Sequence, residues 1–339
     1  MKNRVLFFLL AGFLFLATIP FINIVLAPST DLVKWKSKSF LYNLDFVSKR
    51  FALFCYKYGI SIEPKQVIIG RDDWLFLGDM YGVTLTTDRR PAVDADLTLG
   101  QELGATANAW DEYLKGKGVK LFRIMIGPNK GTIYPELMPA WARPPSPNAT
   151  DYFFRGTTDT HYIDLRGPLL GAKASQSAAL YYKTDTHWNA LGGAVAFREF
   201  AQQVSKFAPE LQWPQPAAYE LIQVNERAGG DLAKFLRLSE SLSDSEPVIA
   251  LSKPLSALNK KKVLWVRDSF GVAMAPLMAA TFSEVREVYS GLVFRPDGFF
   301  EKLVDEWRPD YVFFTLVERD KGELLNFRPS NLVKPIEGS

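Results

Sequence analysis

Two short segments of the chain carry residue types that can do nucleophilic chemistry. In the first, the apolar run Val263-Leu264-Trp265-Val266 leads through Arg267-Asp268 to Ser269, and a helical pattern begins at Phe270. A hydroxyl on such a strand-to-helix turn has backbone amides close by that can stabilise a developing oxyanion. The same position also suits an ordinary helix N-cap. The second segment is Tyr182-Lys183-Thr184-Asp185-Thr186-His187-Trp188-Asn189, which holds one of the 2 histidines of the chain. A carboxylate two residues before an imidazole can accept its Nδ1 proton and leave Nε2 free to take a proton from a serine. The alternative is a structural Asp–His pair bracing the start of a helix capped by Asn189. Each segment alone is a weak signal; together they point to Ser269, His187 and Asp185 as nucleophile, base and orienting carboxylate.

Other chemistries find little support. There is no GxGxxG, Walker loop, GxSxG, HExxH or Cys pair. With 2 histidines and the single Cys55, a zinc or iron site would need unusually many carboxylates, so no metal is expected. Of 339 residues, 47% are hydrophobic and 23% charged, which fits a folded globular chain and neither a disordered one nor a multi-span membrane protein. A formal net charge of +3 with no long basic run gives no reason to propose nucleic acid as a partner.

The elements that must position the two segments follow from hydrophobic patterning. Val5 to Ala27 runs without a charged residue, long enough for a helix to cross a hydrocarbon core of roughly 30 Å. This predicts one N-terminal transmembrane helix, kinked at Pro20, acting as an uncleaved anchor. Val25-Leu26-Ala27 is a passable cleavage site, so cleaved secretion is the alternative. Lys2 and Arg4 flank one end, and Lys34, Lys36 and Lys38 the other, so the charge count is nearly balanced. Residues 1–30 are read as anchor or signal and 31–66 as a juxtamembrane amphipathic helix, in which Trp35, Phe40, Leu41, Leu44, Phe46, Phe51, Leu53 and Phe54 recur among basic residues. Residues 67–330 are read as one α/β domain. Strands are expected at 67–70, 74–77, 120–126, 162–165, 263–266, 284–289 and 311–316, with helices near 100–115, 189–207, from 270, and 297–307. Residues 127–147, rich in proline, read as a long loop or lid. Strands that are apolar throughout predict a parallel sheet between helix layers, with chemistry at the strands' C-terminal ends.

The segments Asp185-Thr186-His187-Trp188-Asn189 and Arg267-Asp268-Ser269-Phe270 together resemble the SGNH-hydrolase-like polysaccharide O-acetyltransferases of the alginate acetylation type, the AlgJ and AlgX group. Supporting matches lie in Gly70-Arg71-Asp72-Asp73-Trp74-Leu75-Phe76, in Pro128-Asn129-Lys130 with Ile133-Tyr134-Pro135-Glu136, and in Pro309-Asp310-Tyr311-Val312. In ordinary SGNH hydrolases the nucleophile comes first and the histidine last. Here His187 precedes Ser269, the permuted order of the acetyltransferase group. The N-terminal span resembles that of the membrane-anchored members.

The resemblance implies an SGNH-hydrolase-like (flavodoxin-like) fold and a Ser269–His187–Asp185 triad that moves acetyl through an acetyl-serine onto hydroxyls of an exported exopolysaccharide, alginate, cellulose or similar. It implies a single-pass protein of the bacterial inner membrane with its catalytic domain in the periplasm. No cofactor would be bound. Acetyl, ultimately from acetyl-CoA, would be supplied by a membrane-bound O-acyltransferase (MBOAT) partner docking on residues 35–58. The oxyanion hole would include the Ser269 amide, with Asn129 or Lys130 as candidate second donors. Arg267 would orient an acidic sugar or brace its turn, and Tyr134 matches a family position or anchors its own loop. Trp141, Tyr152, Phe153 and Phe154 are candidates to line a glycan groove. Asp268 and His161 read as structural. Two other readings stay open: a periplasmic carbohydrate acetyl esterase with the same triad, and a noncatalytic scaffold of an acetylation complex.

Overall fold

A computed structural model describes residues 2–26, 36–157, 161–251, 257–295 and 297–329. Lys34, Trp35 and Ala27, which entered the reading of the membrane-proximal segment, lie outside the described residues. In chain order the strands are β1 (Val67–Ile69), β2 (Leu75–Leu77), β3 (Leu121–Gly127), β4 (Tyr162–Asp164), β5 (Leu221–Ala228), β6 (Ser243–Ile249), β7 (Asn259–Arg267), β8 (Phe282–Tyr289) and β9 (Tyr311–Val317). Five of them form one parallel sheet in the order β4-β3-β9-β7-β8.

The central strands carry apolar residues at both parities because both faces of the sheet are covered. Along β9, Tyr311 and Phe313 enter the core on one side while Val312, Phe314 and Leu316 enter the core on the other. Val263 and Trp265 of β7 alternate with Leu264 and Val266 in the same way. Helices Asp94–Gly116 and Phe299–Trp307 close one face through Leu103, Trp110, Phe300 and Leu303. Helices Arg166–Ser175, Ala190–Ser205 and Ala275–Thr281 close the other through Leu169, Phe197, Phe200 and Leu277. This is the parallel sheet between helix layers that the sequence predicts.

Several boundaries differ from expectation, each for a local reason. The first long helix begins at Asp94 rather than near Gly100, because the Asp96 carboxylate accepts from the Val93 amide at 2.9 Å and closes the first turn. Gly100 instead lies inside the helix where it crosses helix Ala149–Thr157, and a Cβ there would meet the Phe153 carbonyl at 2.2 Å. Residues 127–147 are not a free loop. They wind through short turns at Lys130–Ile133, Pro135–Leu137 and Ala140–Ala142, with Ile133, Tyr134, Met138 and Ala142 buried. After Ser269 the chain first takes a 3₁₀ path to Met274 and becomes α-helical at Ala275, with Pro276 in the first turn. Strands β5 and β6, an antiparallel ribbon lying outside the main sheet, were not anticipated.

At the N-terminus, helix Lys2–Leu26 contains a 22-residue segment, Arg4–Val25, of mean hydropathy 2.6, long and apolar enough to cross a membrane. Asn23 near its end donates to the carbonyls of Phe40 (3.0 Å), Leu41 (3.0 Å) and Asn43 (2.8 Å). Helix Asp45–Lys57 follows. It turns Ala52 and Tyr56 toward β1, β2 and the short helix Asp231–Phe235, and leaves Phe51, Phe54 and Tyr58 exposed.

Candidate active site

Ser269 stands just beyond the C-terminal end of β7, a central strand of the sheet. Asp268 holds the turn. Its carboxylate accepts from the Phe270 amide at 2.7 Å and from the Val317 amide, at the end of the neighbouring β9, at 2.6 Å. Asp268 is therefore the cap and Ser269 is left exposed. Burial pushes the Asp268 carboxyl up to about 6 despite those two amide donors. Trp188 Nε1 donates to the Phe270 carbonyl at 2.8 Å, which fastens the serine turn to the histidine segment.

The histidine segment is a loop. His187 Nδ1 lies 2.6 Å from Asp185 Oδ1, and Nε2 lies 2.8 Å from Ser269 Oγ. Asp185 is buried, and its hydrogen bond from His187 together with the imidazole charge brings its carboxyl down to about 2 against the opposing effect of burial. An ionised carboxylate on Nδ1 fixes the tautomer that presents Nε2 as acceptor to the serine proton. The three side chains thus form a line from carboxylate to imidazole to hydroxyl, with its serine end facing solvent.

The loop keeps this shape because other parts of the chain take up its backbone groups. Lys130 Nζ donates to the carbonyls of Tyr182 (2.9 Å), Lys183 (2.9 Å) and Asp185 (2.7 Å). Burial brings this ammonium down to about 7 while Asp244, Asp231 and Asp185 favour its charge, and three carbonyl acceptors call for all three N–H groups of the charged form. Asp244 on β6 accepts from the amides of Lys183 (2.9 Å) and Thr184 (2.7 Å) and from the Thr184 hydroxyl (2.7 Å). Asn189 Oδ1 accepts from Leu191 (3.0 Å) and Gly192 (3.1 Å) at the start of the next helix.

A model of a family described as the SGNH hydrolase-like domain of acetyltransferase AlgX matches residues 67–262, a span that holds Asp185 and His187 and ends just before Ser269. The chain belongs to that family. It is 29% identical over 215 residues to the probable alginate O-acetylase AlgJ of Pseudomonas fluorescens, across 61% of this chain and 51% of that one. The chain thus spans about half the length of the curated relatives it matches. Among solved structures, the O-acetyltransferase domain of Pseudomonas putida AlgJ is similar at 23% identity and a TM-score of 0.51, covering 79% of this chain and 95% of that one. Bacillus cereus PatB1 is similar at 13% identity and a TM-score of 0.56, covering 77% and 99%. These two structures share the SGNH-like α/β fold with the present chain.

The other residues singled out in the sequence fall into place around the family's core. Lys130 does not face Ser269; its three donors are spent on the histidine loop. The Asn129 side chain is also engaged, donating to Asp88 Oδ2 at 3.0 Å and accepting from Arg319 Nη1 at 3.0 Å, while its amide donates to Glu318 Oε1 at 2.8 Å. Arg267 pairs with Glu287 at 2.7 Å and reaches the Asp268 carbonyl at 3.3 Å, bracing its turn. The Tyr134 hydroxyl accepts from the Leu180 amide at 2.9 Å and anchors the loop behind the histidine. His161 Nε2 lies 3.0 Å from Asn108 Oδ1, on the far edge of the sheet. Of the aromatic candidates, Trp141 is exposed, whereas Phe153 is fully buried against Tyr162 and belongs to the core.

Sequence reasoning missed Asp231. Its carboxylate accepts from the Thr186 amide at 2.7 Å and the Thr186 hydroxyl at 2.5 Å, and Oδ2 lies 3.6 Å from His187 Nδ1. The available signal was the pair Gly229-Gly230 just before an acid.

Proposed function

We propose that this protein is an O-acetyltransferase that moves acetyl through an acetyl-serine intermediate onto hydroxyls of an exported exopolysaccharide. The observation that carries the reading is the 2.8 Å approach of His187 Nε2 to an exposed Ser269 Oγ, with Asp185 on the other ring nitrogen at 2.6 Å. It is supported by membership of a family described by its acetyltransferase and by relatives named as probable alginate O-acetylases.

The chemistry follows from that line of groups. His187 Nε2 takes the Ser269 proton as Oγ attacks the acetyl carbonyl carbon of the donor. The tetrahedral intermediate collapses, the bond from carbon to the donor's leaving oxygen or sulfur breaks, and the leaving group departs with the proton from Nε2. A sugar hydroxyl then enters, gives its proton to the same Nε2 and attacks the acetyl-serine carbonyl. Collapse expels Ser269 Oγ, which recovers the proton. One base thus serves both halves. The Ser269 amide is the oxyanion donor we assign; Asn129 would qualify only after its side chain leaves Asp88 and Arg319.

The donor is assigned to a membrane-bound O-acyltransferase partner drawing on acetyl-CoA, because one apolar helix has no means of carrying acetyl across a bilayer. On this reading the catalytic domain works in the periplasm, where an exported glycan is met, with Arg4–Val25 as its inner-membrane anchor. The exposed stripe of Phe51, Phe54 and Tyr58, on helix Asp45–Lys57 and its C-cap, is the proposed docking surface for that partner.

The test uses the full chain in detergent micelles with p-nitrophenyl acetate as donor, with and without oligosaccharides of candidate glycans. Acetylated sugar whose formation depends on Ser269 is the expected product. Turnover indifferent to glycan, releasing acetate alone, would favour an esterase. No turnover, with full glycan acetylation in cells carrying Ser269→Ala, would favour a noncatalytic scaffold.

A further inference from the structure

Asp185 is not the only carboxylate that faces the Nδ1 side of His187. Asp231 lies at the start of the short helix Asp231–Phe235, which packs beneath helix Asp45–Lys57. It meets the triad in three ways. Its amide donates to Asp185 Oδ2 at 3.2 Å, the oxygen that His187 does not use. Its carboxylate receives the amide and hydroxyl of Thr186, the residue between Asp185 and His187. Finally, the Thr186 hydroxyl, having given its proton to Asp231, turns its oxygen to His187 Nδ1 at 3.1 Å.

Nδ1–H is therefore presented with Asp185 Oδ1 at 2.6 Å and Thr186 Oγ1 at 3.1 Å, and the latter is polarised by Asp231. The approach is built into the backbone. Gly230 leaves the space that Asp185 fills, since a Cβ there would lie 2.3 Å from Asp185 Oδ2. The Gly230 amide donates to the Thr184 hydroxyl at 2.9 Å, which ties the same turn to the other end of the loop.

We propose that Asp231, acting through Thr186, is a second positioning carboxylate of the triad, favouring the imidazolium formed when His187 deprotonates Ser269. This deepens the acetyl-transfer reading and rests on it. An anion at 3.6 Å from Nδ1 lowers the energy of the protonated ring relative to the neutral one, so its removal makes His187 a weaker base at every step. The other charged groups around the ring are Asp185, Arg227 at 3.9 Å from Asp185 Oδ2, Lys130 and Asp244 behind the loop, and Arg319 over the Phe270 ring that packs on His187. Burial and the neighbouring Asp185 charge push the Asp231 carboxyl up from its ordinary value.

The test reads Ser269 reactivity directly. The full chain in detergent micelles is treated with phenylmethanesulfonyl fluoride, and intact mass gives the rate at which an Oγ–sulfur bond forms as fluoride leaves and Nε2 takes the serine proton. Asp231→Asn should react about tenfold more slowly, with the acid limb of its pH–rate profile displaced downward by about half a unit or more. Asp231→Glu should restore most of the rate. A merely structural role would slow the reaction equally at all pH and leave the limb in place, which overturns the proposal. So does an unchanged rate, or a parental rate that changes on treatment with EDTA, since Asp185, His187 and Asp231 are also close enough together to hold a metal ion. Should Asp231→Asn fail to fold by circular dichroism, Asp231→Ser removes the carboxylate charge while keeping a hydroxyl for Thr186. The same downward displacement is then expected, and an unmoved limb overturns the idea. Absence of any adduct on the parent chain would overturn the Ser269 reading itself, a failure distinct from normal labelling that ignores Asp231.

Discussion

Ser269 is placed by its neighbours in sequence, whereas His187 is placed by residues from three other parts of the chain. At the serine turn, Asp268 caps the 3₁₀ segment beside it and reaches across to Val317 on the adjacent strand, while Arg267 folds back onto Glu287. The histidine loop has no regular structure of its own. Its carbonyls are gathered by Lys130, its amides by Asp244 and Asp231, and its carboxylate is pressed by Gly230. Ser269 thus sits on the rigid end of a buried strand, and His187 sits on a loop made rigid by buried polar groups. Such a network is strong when every member is satisfied and fails when one is removed. Perturbing either half should therefore produce different symptoms.

The largest effect is expected at the chemistry itself. Ser269→Ala should lower acetyl turnover by about 10³-fold or more while leaving the thermal midpoint unchanged, because the hydroxyl is exposed and holds up nothing else. Steady-state kinetics and a melting curve on the same preparation check both halves of that statement.

Next comes Gly230→Ala. Its backbone φ of −77° is open to any residue, so only the Cβ matters, and at 2.3 Å from Asp185 Oδ2 something must shift. The carboxylate is the group that moves, and turnover should fall about 100-fold with the chain still folded. Retained activity would mean that the loop yields, against the rigidity argued here.

Lys130→Met should injure stability as well as rate. The Tyr182 and Asp185 carbonyls lose their donor and the Lys183 carbonyl keeps only the Leu75 amide, a cost of about 2–4 kcal/mol in denaturant unfolding. The pH dependence gives this variant a signature. A lysine held near 7 when folded and near its ordinary value when unfolded weighs against folding at neutral pH, and that penalty disappears as pH rises through the alkaline range. The parent gains this contribution and the methionine variant does not, so the gap between them should widen from about pH 7 to 10.

The smallest effect belongs to the serine turn. The Asp268 carboxyl is raised to about 6 in the folded chain, so its contribution to stability is lost as pH climbs from about 4 to 6. Asp268→Asn removes that dependence but keeps an oxygen for one of the two amides. The variant should be less stable than the parent near pH 4, and the difference should shrink by about 2–3 kcal/mol above pH 6.

The same contrast explains what could be read from the sequence. The strands β3, β7 and β9, the turn into Ser269 and the Asp185–His187 spacing are local patterns, and the parallel sheet follows from strands that are apolar at both parities. Lys130 and Asn129 drew attention as candidate donors because they follow a strand end. Nothing local reveals that Lys130 points at carbonyls more than fifty residues away. The ribbon β5–β6 alternates weakly and is largely exposed along β5, so it left little hydrophobic signal. Yet it supplies Asp244 and Arg227 to the site. Asp231 went unnoticed for a related reason, since its role depends on a contact across forty-five residues with Thr186.

The most direct test of the central claim is intact-mass analysis of the full chain after brief exposure to an acetyl donor without acceptor. A covalent intermediate on Ser269 predicts an adduct of about 42 Da that is absent from Ser269→Ala and disappears when an acetylatable oligosaccharide is added, with the acetyl found on the sugar. An adduct that persists in Ser269→Ala, or transfer to sugar by that variant at the parental rate, would contradict it.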